Sequence, residues 1–164
     1  MVRDLEGFEG HDGVELLQKL PLFRDLNHGE TLRLAEICGT ERRSAGAVLV
    51  HENALGEFLF VVRAGRVSVD KGEGSARLHL GVMEAGELFG EMALVDDVLT
   101  QATVTALDDV ELLVVPRAEL DALLASDAAL ALKVYRSFCR ALSRKIRELQ
   151  NLIAPEKGLE MEKA

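Results

Sequence analysis

The spacing of apolar positions changes twice along the chain and divides it into three parts. Between Asp12 and Gly39 apolar residues fall at helical intervals in two short blocks. Leu16, Leu17 and Leu20 follow Asp12-Gly-Val-Glu15 and stop at Pro21. Leu32, Leu34, Ala35, Ile37 and Cys38 follow Asn27-His-Gly-Glu30 and stop at Gly39. Both opening tetrapeptides fit a capping box, an oxygen-bearing cap with Glu three residues on. Two helices of two to three turns are predicted.

From about Thr40 to Val115 the period shortens. Apolar runs Ala47–Val50, Phe58–Val62, Val67–Val69, Leu78–Leu80, Ala102–Ala106 and Val110–Val115 are separated by glycines such as Gly46, Gly56, Gly65, Gly72, Gly81 and Gly86. Many short strands at regular intervals predict a sandwich or barrel.

The last part returns to helical spacing. Pro116 suits the first turn of a short helix over Arg117 to Ala125. Ser126 or Asp127 can cap a longer helix over about 127–152, ended by Pro155. Residues 1–11 are expected to form a flexible N-terminus, 12–152 a single domain, and 153–164 a charged tail. Along the long helix Ala128, Leu132, Tyr135, Cys139, Leu142, Ile146, Leu149 and Ile153 alternate four- and three-residue steps. That is the 3.5-residue period of a coiled-coil seam. Leu130, Val134, Phe138 and Ala141 form a second stripe. One stripe can pack on the strands while the other meets a second copy, or both can cover one wide core. The first arrangement predicts a homodimer through the long helix.

Composition narrows the function. A formal net charge of −9 over 164 residues argues against a chain whose whole surface binds nucleic acid. No apolar run is long enough to span a membrane. Cys38 and Cys139 lie far apart without CxxC spacing, so neither a metal nor a disulfide framework is expected and a reducing cytoplasm is the expected location. His11, His28, His51 and His79 have neither ligand spacing nor an adjacent nucleophile. With no phosphate loop of the P-loop kind either, the chain reads as a regulatory or interaction module rather than an enzyme, with no cofactor. Lys133, Arg136, Arg140, Arg144 and Arg147, with Lys145 close by, give the long helix a basic face. Such a face serves an acidic partner, nucleic acid or the chain's own acidic segment over Leu88–Val104. It can equally be a solvated surface, with cations favoured toward a helix C-terminus.

The segment Leu88-Phe-Gly-Glu-Met-Ala-Leu-Val-Asp-Asp-Val-Leu-Thr-Gln-Ala-Thr-Val104 resembles the phosphate-binding cassette of cyclic-nucleotide-binding domains. Leu20-Pro-Leu-Phe23, Ala45–Leu49 and Phe58–Val69 resemble the family's opening helix, its first long strand and the strand-glycine-strand unit that follows. In order, these cover about Leu16 to Leu149. The resemblance implies an α+β fold, a double-stranded, jelly-roll-like β-roll with N-terminal helices and a long C-terminal helix. It implies a ligand site at Phe89, Gly90, Glu91, Met92, Ala93, Thr100, Gln101 and Ala102. There Gly90 would allow close backbone approach and Glu91 would accept from a ribose hydroxyl.

The second half of the cassette departs from the family pattern. Thr100 stands where the family places the Arg that pairs with the cyclic phosphate, and Gln101 stands at its small neighbour. From Glu84 through Asp109 there is no Lys or Arg, but there are Glu84, Glu87, Glu91, Asp96, Asp97, Asp108 and Asp109. Loss of a charged, forked contact weakens anion binding by about two decades or more. Tight binding of cyclic AMP or cyclic GMP is therefore not expected unless Arg63, Arg66 or Arg77 reaches in. Two readings follow. One is a degenerate sensory domain acting through dimerisation or a protein partner. The other is a genuine receptor with its phosphate cation in an unusual place. Direct DNA binding is not expected, because the chain ends about a dozen residues after the long helix, without room for a recognition helix.

Overall fold

The computed structural model describes residues 6–7, 11–96 and 99–153. Two helices lead, α1 (His11–Lys19) and α2 (His28–Glu36). Asn27 caps α2 as its sequence predicts: Glu30 N donates to Asn27 Oδ1 at 2.9 Å, and Asn27 N donates to Glu30 Oε2 at 2.7 Å. α1 begins at His11, one residue before the Asp12 expected to cap it, and the side chain of Asp12 lies outside the described residues.

The described strands are β1 (Glu6–Gly7), β2 (Gly39–Arg43), β3 (Val48–Val50), β4 (Phe58–Ala64), β5 (Val67–Lys71), β6 (Leu78–Met83), β7 (Leu88–Phe89), β8 (Thr103–Ala106) and β9 (Val110–Pro116). They form two antiparallel sheets, ordered β1-β2-β9-β4-β7 and β3-β8-β5-β6. The six apolar runs all become strands. β1 and β2 do not follow from the sequence pattern. Glu6 and Gly7 lie in the segment expected to be flexible, yet they pair with Thr40 and Gly39. Gly39-Thr-Glu-Arg-Arg43 has no apolar run, and its pairing along the whole of Val110–Val114 makes it a strand.

The central pair β4 and β9 explains the layered core. Successive strand side chains point to opposite faces, and here both faces are covered. Leu59, Val61, Leu113 and Val115 pack outward under the helices with Phe23, Leu34, Leu120 and Leu124. Phe60, Val62, Leu112 and Val114 pack inward with Leu49, Val67, Phe89 and Val104 from across the roll. A strand buried on both faces reads as a continuous apolar run, as Phe58–Val62 and Val110–Val115 do.

Two helices close the domain, α3 (Arg117–Ser126) and α4 (Ala128–Ile153). Asp127 caps α4: Leu130 N donates to its Oδ1 at 3.0 Å, and Arg33 donates to its Oδ2 at 2.6 Å. Leu130, Val134 and Phe138 are buried in the helical core. Ion pairs from Lys133 to Glu30 (2.7 Å) and Arg140 to Asp25 (2.7 Å) fasten the same stretch. Beyond Leu142 the helix leaves the roll, and residues 143–151 are exposed around the whole helix. The charged tail expected over 153–164 lies, after Ile153, outside the described residues.

Candidate functional site

The cassette is built where β7 runs into a 3-10 turn, Glu91–Leu94, beside the start of β4. Phe89 packs into the inner core. Its ring is 4% exposed and stacks on Phe60 with centroids 4.8 Å apart. Gly90 has φ +85°, and a Cβ there would lie 2.6 Å from the carbonyl oxygen of Phe58. Both the left-handed backbone and the approach to β4 therefore require glycine. That constraint holds whether or not a ligand binds.

Glu91 opens the turn and its residue is 9% exposed. Burying a carboxylate without a partner is costly. The partner comes from far along the chain: Lys145 Nζ, on the projecting part of α4, donates to Glu91 Oε1 at 2.8 Å. Met92 is exposed at 48% and Ala93 lies in the same turn. Asp97 and Val98 lie outside the described residues.

Thr100 has a structural task. Its hydroxyl donates to the His51 carbonyl at 2.5 Å and accepts from Ala54 N at 2.9 Å. Its backbone N–H donates to Ala54 O at 2.9 Å, and its carbonyl accepts from Asn53 N at 2.8 Å. These bonds tie the end of the cassette to the β3–β4 loop. Gln101 is exposed and donates from Nε2 to the Leu99 carbonyl at 2.8 Å. Ala102 is half-buried and leads into β8. Of the eight sequence-predicted residues, Gly90 and Glu91 thus meet at one place, Phe89 belongs to the core, and Thr100 and Gln101 serve the loop.

The arginines named above as candidate phosphate cations have other partners. Arg63 pairs with Glu111 at 2.6 Å and Arg66 with Asp108 at 2.8 Å. Arg63 lies near the C-terminal end of β4 and Arg66 in the turn beyond it, whereas Gly90 abuts Phe58 at the other end, about five strand residues or 16 Å from Arg63. Arg77 donates to Asp70 at 2.7 Å. Asp70 is buried and also receives Ser68 Oγ at 3.0 Å, with His79 Nδ1 at 3.0 Å from its other oxygen. The bond from Arg77, then that from His79, hold its carboxyl down at about 2, outweighing the upward push of burial. The ammonium beside Glu91 is that of Lys145, a member of the basic face for which the sequence offered the chain's own acidic cassette as one candidate partner.

On α4 the candidate seam divides. Leu132, Tyr135, Cys139, Ile146 and Leu149 are exposed. Leu142 is half-buried and packs on the helical core, so it serves the roll itself. Arg136, Cys139, Arg140, Ser143 and Arg147 line a shallow groove of about 390 Å³ beside the exposed row. The other cysteine, Cys38, is buried in the core and burial pushes its thiol up to about 12. Among the described residues no group of His, Cys, Asp and Glu is arranged to hold a metal, and no helix is long and apolar enough to cross a membrane.

Residues 40–127 match the family model of the cyclic nucleotide-binding domain, and the chain belongs to that family. It is 34% identical over 92 residues to a cAMP-dependent protein kinase regulatory subunit from Eremothecium gossypii, a match covering 56% of this chain and 19% of that protein. The chain spans about a fifth of the length of the curated relatives it matches. Its fold is similar to a cyclic nucleotide-binding domain from Methylobacillus flagellatus KT (TM-score 0.75, 25% identity, covering 87% of this chain and 80% of that one). It is also similar to the N-terminal domain of a transcriptional regulator from Streptomyces coelicolor A3(2) (TM-score 0.70, 29% identity, 79% and 94%). A third likeness is to the Thermus thermophilus catabolite activator protein (TM-score 0.65, 30% identity, 80% and 62%).

Proposed function

We propose that this chain is a regulatory module whose output is helix α4, paired with the α4 of a second copy, and whose cassette does not hold a cyclic phosphate by the family's arginine. The observation that carries the reading is the projecting end of α4, which adds no residue to the core. Residues 143–151 make no core, yet Ile146 and Leu149 are each 55% exposed on the same side as Leu132. This stretch is the outer end of a 26-residue helix, and an apolar row at 3.5-residue spacing is what a partner helix covers. Thr100 supports the second half of the proposal, since its hydroxyl and backbone are committed to the β3–β4 loop. Introducing Leu132→Glu together with Ile146→Glu tests the pairing, because both side chains lie off the core. A shift to the monomer's elution volume is expected, and an unchanged volume contradicts the reading.

A second reading is a true receptor for cyclic AMP, cyclic GMP or a related nucleotide with a non-standard phosphate cation. One observation favours it: an ammonium, that of Lys145, lies at the cassette.

A further inference from the structure

We infer that Lys145 is the anion-binding residue of this cassette, so that the site takes a phosphate monoanion held by the output helix itself; the inference rests on the receptor reading above.

The cradle needs a positive charge and the roll does not bring one. The segment from Glu84 through Asp109 has none, and Arg63, Arg66 and Arg77 are engaged with Glu111, Asp108 and Asp70. Lys145 arrives from 54 residues away and lies on Glu91, the residue that opens the turn after Gly90. An ammonium has three N–H donors. Among the described residues one of them is used, on Glu91 Oε1, and the Lys145 side chain is 53% exposed, while that of Glu91 is 11% exposed. The carboxylate therefore acts as a holder. It fixes the cation at the cassette and leaves two of its donors without a partner among the described residues. Glu91 keeps its second oxygen to accept from a hydroxyl of the same ligand.

This arrangement differs from an arginine within the cassette in its consequence. A cation on the cassette holds the anion without reference to α4. A cation on α4 makes the anion a bridge between the roll and the output helix. It fixes the projecting segment to which Ile146 and Leu149 belong. Occupancy would then alter the apolar row directly, through one side chain, rather than through a relay of packed residues.

The test is titration calorimetry of the full chain with cyclic AMP and with adenosine, which has the base and sugar hydroxyls but no phosphate. It is done for wild type, Lys145→Met and Lys145→Arg, each shown to be folded by circular dichroism. The expected result is that wild type prefers cyclic AMP. Lys145→Met should lose about ten- to a hundredfold for cyclic AMP while leaving adenosine unchanged, and Lys145→Arg should keep most of the preference. If Lys145→Met binds cyclic AMP as well as wild type or better, the assignment of Lys145 is wrong while the receptor reading stands. If wild type binds cyclic AMP no better than adenosine, or binds neither, the receptor reading and this inference fall together.

Discussion

Glu91 and Lys145 form a hydrogen-bonded ion pair of 2.8 Å that joins the cassette to the projecting end of α4. Apart from this pair, the exposed stretch 143–151 has little to hold it to the roll. Glu91→Gln removes the charge and should loosen that end of the helix. Amide hydrogen exchange over residues 143–151 is expected to rise several-fold, with β4 and β9 unchanged. A pair half open to solvent contributes about 1 kcal/mol or less, so the global unfolding midpoint should barely move.

Gly90 is fixed by two constraints that no other residue type meets together. Its φ is +85° and a Cβ would lie 2.6 Å from Phe58 O. Gly90→Ala is expected to cost at least about 1–2 kcal/mol from the left-handed backbone alone, with the clash in addition. Thermal unfolding should show a fall of several degrees. An unchanged midpoint would mean that the turn rebuilds at no cost.

Thr100 joins the cassette to the β3–β4 loop through its hydroxyl and its backbone. Thr100→Val keeps the shape and removes only the hydroxyl. It should destabilise the domain by about 1–3 kcal/mol, because Ala54 N and the His51 carbonyl lose their partner. Urea unfolding measures this directly. Thr100→Arg with Gln101→Ala rebuilds the family's cation instead and should raise affinity for cyclic AMP by about two decades, which calorimetry would detect.

Asp70 gives the fold a pH dependence whose sign follows from its lowered pKa. The carboxyl titrates near 2 when folded, against an ordinary value of 3.8. It therefore contributes stability that is fully present above about pH 4 and is lost as pH falls toward 2. The stability difference between wild type and Asp70→Asn should be constant from pH 5 upward. It should shrink between pH 4 and 2, as read by denaturant unfolding across that range.

How much of this was legible in the sequence depends on how far apart the interacting residues lie. The strands of β4 and β9 announced themselves because both their faces are buried, and the Asn27–Glu30 cap because it spans three residues. β2 was hidden, since Thr40 and Glu41 become strand only by pairing with Leu113 and Leu112. The cassette could be read through Gly90 and Glu91. The part played by Thr100 could not, because its partners His51 and Ala54 sit 49 and 46 positions earlier. Periodicity along α4 marked an apolar seam but not its division: Leu142 turns to the core and Ile146 to solvent, because the helix leaves the roll between them. Lys145 was legible as one of a basic group for which the acidic cassette was one candidate partner, but not as the member that meets Glu91. Its position beside Glu91 depends on the rotation of α4 against the roll, which no local pattern encodes.

The most direct test of the account is the mass of the intact chain by light scattering across a micromolar dilution series. One chain has a mass of 17.9 kDa. Pairing through the exposed row Leu132, Tyr135, Cys139, Ile146 and Leu149 predicts twice that mass at high concentration, falling toward 17.9 kDa on dilution or with Leu132→Glu and Ile146→Glu. A mass of 17.9 kDa at every concentration would contradict the claim that α4 is the surface through which this module acts on a second copy.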